Sequence, residues 1–341
     1  MPKSRRPTIL DIAQRAGVSP TTVSHVLNNV SSARIADATR ERVEAVAQEM
    51  GYQPNGLARA LRTHRSNTLA LISDEIATTP YAGKLILGAQ EAASRHGWLL
   101  MIMSTGGSKA VEEREIAAIW QHQVDGVLYA AAHHRTVEVP ASLHGKPYIV
   151  VNAESSNQQD RSVFPDEFQG GYDATRELIV AGHTSIGFIN TQMPIPARDG
   201  RLAGYRAALK EAGIRFRKAL VVAGRLTFAP DGYEAARDLL TAQRPTAVFC
   251  FNDRMAMGAY RAADELGLRI PEDLSIIGFD NQEIVVEALS PTLSSLALPY
   301  YQMGATAVDA LVAELKGEPL VIPRQLSLPS PVVSRQSVRR V

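Results

Sequence analysis

The chain has 341 residues, 45% of them hydrophobic, with a formal net charge of +1 at pH 7. That is enough apolar mass to bury a large core in two or more units. The single cysteine, Cys250, excludes an internal disulfide framework and fits a reducing compartment. No stretch has the pattern of a signal peptide or the length of an apolar membrane span, so a cytoplasmic protein without membrane contact is expected. The small net charge hides an asymmetry. Residues 1–65 hold ten Lys and Arg against five Asp and Glu, and the rest of the chain holds twenty-six against thirty. A basic head on a mildly acidic body points to a polyanion meeting the head.

The first elements predicted are two short helices joined by a tight turn, within Thr8 to Asn29. Thr8 caps the first, with Asp11 three residues on, close to a capping box. Ile9, Ile12, Ala13 and Ala16 recur at helical spacing, and Gly17 stops the helix because it tolerates the left-handed conformation. Ser19 caps the second helix, and Pro20 falls at its first position, where the missing amide donor costs nothing. Val23, Val26 and Leu27 form its apolar side. Thr21, Thr22, Ser24, His25 and Asn28 point outward, a polar face with almost no carboxylate. This is a helix-turn-helix whose face suits hydrogen bonding to base edges and phosphates.

A third helix, roughly Asp37 to Met50, carries Val43, Ala47 and Met50 inward and ends at Gly51. Pro54 then interrupts the chain. Leu57, Ala58 and Leu61 line one side of a single short helix, too short to be stable alone in water. It reads as a linker that orders when something is there to order it.

From Asn67 the texture changes to strands alternating with helices. One series of apolar runs is NTLALIS, WLLMIMS, VDGVLYA and PYIVVN. A second is SIGFIN, ALVVAG, TAVFCFND and LSIIGFDN. Strands without polar alternation are buried on both faces, which implies parallel sheets covered by helices. Two series imply an α/β core of two doubly wound halves with a cleft between them, and ligands bind at the carboxyl ends of such strands. Asp74, Asn152, Asn190, Asn252, Asp253 and Asp280 end these strands. His133-His134 follows one of them and reads as loop, since a metal site needs further ligands and none are evident. Cys250 reads as a buried small hydrophobe. Neither a cofactor nor a metal is expected.

The segments TILDIAQRAGVSPTTVSHVLNN, TRERVEAVAQEMGYQPNGLARALR, RLAGYRAAL, FNDRMAMGA and IPEDLSIIGFDN, in this order, closely resemble the lactose-repressor family of bacterial transcription regulators. The resemblance runs from about Thr8 to about Ser334. Its core motifs are shared with periplasmic sugar-binding proteins. It implies a helix-turn-helix headpiece over residues 1–53, a hinge helix over 54–66, and a two-lobed, periplasmic-binding-protein-like effector and dimerisation core over 67–341. The first lobe is expected at about 67–164 and 293–322, the second at about 165–292 and 323–341.

The same resemblance implies a homodimer whose paired recognition helices read a near-palindromic operator. Carried over by position, Pro20, Thr21 and His25 read bases, and Thr22, Ser24, Asn28 and Asn29 contact phosphate or cap the helix. Thr8 and Ser19 belong to the same DNA-binding set. His25 departs from the arginine common in the family and does not donate in bidentate fashion. Ala36 stands where the family has a serine cap, at a cost of about 1 kcal/mol unless Asp37 takes over. Leu61 wedges between base pairs in the minor groove, with Asn55, Ala58 and Arg62 along groove and backbone.

In the core, the resemblance places Arg201, Asn252 and Asp280 at the effector positions, a set suited to a polyol. Asp74 adds an acceptor and Tyr81 one stacking aromatic. Ala82 replaces the second, and whether Thr227 or Phe228 stands in for a further aromatic is open. The effector expected is a sugar or sugar phosphate. A purine-type or other co-repressor is the alternative, because TTVSH resembles the purine-repressor branch. A sugar-binding protein without a regulatory role is the remote one. An enzyme is not expected, as no GxSxG, Walker, GxGxxG, HExxH or CxxC pattern occurs. The terminus carries no leucine heptads, which favours a dimer over a tetramer.

Overall fold

Thr8 opens the first helix of the computed structural model, which describes residues 7–27, 34–52, 65–75, 82–319 and 322–341. These residues belong to two units, Met1–Ser66 and Asn67–Val341. In the first, α1 (Ile9–Ala16), α2 (Pro20–Leu27) and α3 (Asp37–Glu49) form a three-helix cluster. The Thr8 amide donates to Asp11 Oδ2 at 2.7 Å, and the Asp11 amide returns to Thr8 Oγ1 at 3.4 Å, a reciprocal capping box. Gly17 turns the chain at φ 65°, where a side chain is strained. Ser19 Oγ accepts the Thr22 amide at 3.1 Å and so caps α2, with Pro20 as its first residue.

Ile12, Ala13, Ala16, Val23, Val26, Val43 and Ala47 form the buried centre, with Met50 packed beside it. An Ile or Val taken fully out of water contributes about 1.5–3 kcal/mol, so this small unit rests on a handful of side chains. Ala36 precedes α3 with no side-chain cap, and Asp37 lies inside the helix rather than replacing it.

The second unit contains two six-stranded sheets. The first consists of β1 (Thr68–Ser73), β2 (Leu99–Ser104), β3 (Gly126–Ala130), β4 (Tyr148–Val151), β5 (Ser162–Pro165) and a late strand, β11 (Gln325–Leu328). Its order is β11-β5-β4-β3-β1-β2, all parallel. The second has β6 (Ile186–Thr191), β7 (Val221–Gly224), β8 (Ala247–Cys250), β9 (Ser275–Asp280), β10 (Ser294–Ala297) and β12 (Val332–Val333). Its order is β12-β10-β9-β8-β6-β7, parallel except for β12. Helices α4 (Ala82–Arg95), α5 (Lys109–Gln121) and α11 (Tyr300–Lys316) cover the first sheet. Helices α6 (Glu167–Val180), α7 (Pro196–Glu211), α8 (Ala229–Gln243) and α9 (Asp253–Glu265), with the single turn α10 (Glu283–Val286), cover the second.

The lobe boundaries differ from those expected. Strand β10, assigned from sequence to the first lobe, pairs with β9 in the second sheet, Ile277 opposite Ser294. Strand β11, assigned to the second, pairs with β5 in the first, Leu326 opposite Val163. The chain therefore passes between lobes after Pro165, after Ala297 and after Leu328. Strand β2 is a second correction. It is the outer strand of its sheet, so Leu99 and Ile102 are exposed rather than buried on both faces.

Candidate functional site

Between the carboxyl ends of the two sheets lies a cavity of about 370 Å³. Both lobes line it. The first contributes Glu75, His133, His134, Asn152 and Pro165. The second contributes Glu167, Arg201, Asn252, Arg254 and Asp280, with Met193, Ile195, Leu226, Phe228 and Phe251 as apolar wall.

Arg201 is brought to the cavity by close helix packing. Gly171 of α6 lies so near α7 that a Cβ there would stand 2.3 Å from the Arg201 carbonyl, and one on Gly204 would meet Phe168 O at 2.1 Å. The two glycines let the helices touch and set Arg201 beside Glu167 at the start of α6. Arg201 Nε donates to Glu167 Oε2 at 2.7 Å, and Nη1 donates to the Phe251 carbonyl. Its guanidinium carbon lies 3.6 Å from the centre of the Phe279 ring and 4.5 Å from that of Phe251. A planar cation held this way has little rotamer freedom left to lose on binding a ligand.

Glu167 has a second partner from the other lobe. His134 Nδ1 lies 2.9 Å from Glu167 Oε1, and both residues are buried. The far nitrogen, Nε2, is 3.3 Å from Glu154 Oε1 but off the line of a hydrogen bond. Burial by itself would raise the Glu167 carboxyl, but Arg201 first and His134 after it overcome this and hold it at about 2. Burial would lower His134. Its contacts with Glu154 and Glu167 outweigh that and raise it, so the ring favours its charged form.

Asp280 ends β9 with φ 104°, a conformation that side chains rarely adopt and that is retained here at the cavity wall. Burial pushes its carboxyl up to about 6 against the pull of Arg201, Gln282 and Arg254. Behind it, Asp253 is fully buried and raised well above the usual range, by burial first and then by the charge of Asp280. Gln282 joins the two, its amide N–H donating to Asp253 Oδ2 at 2.7 Å and its Nε2 to Asp280 Oδ2 at 2.9 Å.

Of the core residues expected at the site, Arg201, Asn252 and Asp280 line the one cavity. Asn252, however, spends its side chain on structure. Its Oδ1 caps α9 through the Met255 amide at 2.8 Å, and its Nδ2 donates to the Thr227 carbonyl at 3.2 Å. Asp74 is a correction. It is not among the lining residues, because its carboxylate accepts from Arg135 Nη1 at 2.6 Å and from the Ala132 amide at 2.8 Å. Asp74 therefore holds the loop that carries His133 and His134, and the neighbouring Glu75 lines the cavity. Tyr81 lies outside the described residues. Both Thr227 and Phe228 line the cavity, and Arg254 lies 5.1 Å from the centre of the Phe228 ring.

Sequence reasoning missed Glu167, Arg254 and the part played by His134. One signal was available for Glu167. Had SVFP been read as a strand, Glu167 would have stood at its carboxyl end like the other candidates.

In the headpiece, Pro20 and Thr21 are exposed on α2, and Thr22, Ser24 and His25 are half-buried. Val23 and Val26 turn into the core. Thr8 and Ser19 are engaged in caps. Asn28, Asn55, Ala58, Leu61 and Arg62 lie outside the described residues.

A three-helix headpiece with a polar recognition face and a ligand cavity between two doubly wound lobes together define a DNA-binding regulator with an effector core. Comparison with known proteins places it further. The profile described as bacterial regulatory proteins, lacI family, matches residues 8–55, and that of the periplasmic binding protein-like domain matches 175–338. The regulator DegA of Bacillus subtilis is 36% identical over 87% of this chain and 88% of its own. The ribose operon repressor of Haemophilus influenzae is 34% identical over 97% and 98%. Among solved structures, the CelR–cellobiose complex superposes with a TM-score of 0.68 at 32% identity, covering 97% of this chain and all of that one. The operator-bound lac repressor dimer, at 23% identity and a TM-score of 0.76, shares the fold over 98% of this chain and all of its own. The chain belongs to the lacI family of bacterial regulatory proteins and is a ligand-responsive transcriptional regulator. No helix among the described residues is long and apolar enough to cross a membrane.

Proposed function

We propose that the protein is a cytoplasmic repressor that binds a near-palindromic operator as a homodimer and responds to a sugar or sugar phosphate held between its core lobes. The observation that carries this reading is the convergence of Arg201, Glu167 and Asp280 from one lobe with His134 from the other on a single cavity. An effector there touches both lobes, and it acts through its different affinity for their open and closed arrangements. The relatives support the regulatory half of the reading, one being named a ribose operon repressor and one structure being a cellobiose complex.

DNA recognition is assigned to Pro20, Thr21 and His25, with Thr22, Ser24 and Asn28 on phosphate. Leu61, flanked by Asn55, Ala58 and Arg62, is the minor-groove wedge. Leu87 on α4 and Leu99 and Ile102 on β2 are exposed on the first lobe and are the surface proposed for the partner subunit. The function is binding without a catalytic step. Operator fragments selected from random DNA, titrated with protein in the presence and absence of sugars that raise its melting point, test this reading. It fails if no stabilising sugar changes operator affinity.

A further inference from the structure

Among the described residues, three cations line the cavity, Arg201, Arg254 and His134, and three carboxylates share its lining, Glu75, Glu167 and Asp280. Glu154 stands 3.3 Å behind His134 as a fourth. Glu167 does most of the balancing. One carboxylate, 5% exposed, meets Arg201 at 2.7 Å through one oxygen and His134 at 2.9 Å through the other. With Glu154 balancing His134, two cations stand against two carboxylates, and pairs this deep are screened little by salt, so the cluster presents almost no net field to a ligand.

The atoms left over describe that ligand. Arg254 Nε is buried with no acceptor among the described residues. Asp280 receives Gln282 on Oδ2, and among the described residues no hydrogen bond is seen at its Oδ1. An unsatisfied donor and a carboxylate oxygen on the same cavity are both served by a hydroxyl, which donates and accepts. A dianionic phosphoryl group or a carboxylate only accepts, and its negative charge would be placed against Asp280 and Glu75. Resting on the effector reading above, we propose that Glu167 is the specificity determinant of the cleft. By cancelling Arg201 and, together with Glu154, His134, it admits an uncharged polyol and excludes the phosphorylated or carboxylate counterpart.

The test compares D-ribose with ribose 5-phosphate, D-glucose with glucose 6-phosphate, and inorganic phosphate with chloride at equal ionic strength. Thermal stabilisation of the full chain is the readout. In the wild type, phosphate and the sugar phosphates stabilise no more than the chloride control. Glu167→Gln, which leaves Arg201 without its carboxylate and His134 with Glu154 alone, gains phosphate-dependent stabilisation equivalent to roughly tenfold or more tighter binding. Adding Arg201→Gln to that variant abolishes the gain, which places the anion in the cleft.

Asp280→Asn provides a second variant that keeps the buried pair and shifts the cavity toward positive charge. It gains a smaller response in the same direction, and it decides the matter if Glu167→Gln does not fold. The proposal is overturned if the wild type takes a sugar phosphate more tightly than its parent sugar, or if the folded variants respond to phosphate as the wild type does. Failure of every neutral sugar to alter operator affinity would instead overturn the effector reading. The phosphate comparison among the variants would still decide the role of Glu167.

Discussion

His134 of the first lobe and Glu167 of the second share a 2.9 Å contact across the cleft, both almost fully buried, and Glu167 hands the same charge on to Arg201. The lobes are thus joined at the ligand cavity by an ionic chain as well as by the polypeptide crossovers. Removing one partner of a buried pair leaves the other desolvated and uncompensated. Glu167→Ala should therefore destabilise the core by about 3–5 kcal/mol in urea unfolding. A loss under 1 kcal/mol would mean that solvent reaches the pair.

The pair also sets a pH profile. Glu167 is held at about 2, below its ordinary 4.5, so its stabilisation is present above pH 4.5 and fades as pH falls toward 2. His134 is raised above 6.5, so its contribution is full below 6.5 and disappears as pH rises through the folded value. Asp280, raised to about 6 from 3.8, favours the folded state when protonated, and that advantage is lost as pH climbs from 3.8 through 6. These groups make unfolding free energy fall between pH 5 and pH 8, against the opposite slope of His133 and His183, which burial lowers, and Asp280→Asn should flatten the lower part of that fall. An Asp280→Asn profile as steep as the wild type's over this window contradicts the assignment.

Effector binding should depend on the same carboxylate. Asp280→Ala is expected to abolish the effector's influence on operator binding while leaving DNA affinity in its absence within about twofold, because the substitution lies in the core unit. A normal ligand response in operator titrations would show that the effector sits elsewhere.

On the headpiece, His25→Ala or Thr21→Ala should weaken binding to the selected operator by about 1–3 kcal/mol and relax discrimination at one position of each half-site. Leu61→Ala should weaken operator binding without lowering the melting point of the core. Equal affinity for wild type and Leu61→Ala in an anisotropy titration rules out the wedge.

Ala36→Ser tests the local reading of α3. The residue already has the extended backbone of a cap, φ −61° and ψ 141°, with no side chain to accept an amide. The hydroxyl should stabilise the headpiece by about 1 kcal/mol, measured as a rise in its melting point.

What could be read in advance follows a physical division. The headpiece was legible because its determinants are local: the Thr8–Asp11 box, Gly17, and Ser19 with Pro20 each act within four residues and define helix ends wherever the chain goes. The two-lobed α/β core was legible for a similar reason, since apolar runs bounded by polar residues mark buried parallel strands and their carboxyl ends. That rule marked Asn252 and Asp280, and the family resemblance added Arg201; all three line one cavity.

It also misplaced Asp74, because strand-end position says nothing about whether a carboxylate is already taken. Arg135, sixty-one residues away, takes it. Glu167 escaped notice because the four-residue strand before it carries too weak a pattern to mark its own end. The exchange of β10 and β11 between lobes was hidden likewise, as pairing partners are chosen by sheet edges that exist only once the other strands are in place.

The sequence by itself therefore determined the kind of protein, the helices of its headpiece and the alternating strands of its core, since these depend on short-range periodicity and capping. Only the tertiary structure decided which charges cancel. His134, Glu167 and Arg201 come from separate elements, and their pairing depends on burial and on distances below 3 Å that the folded lobes alone create.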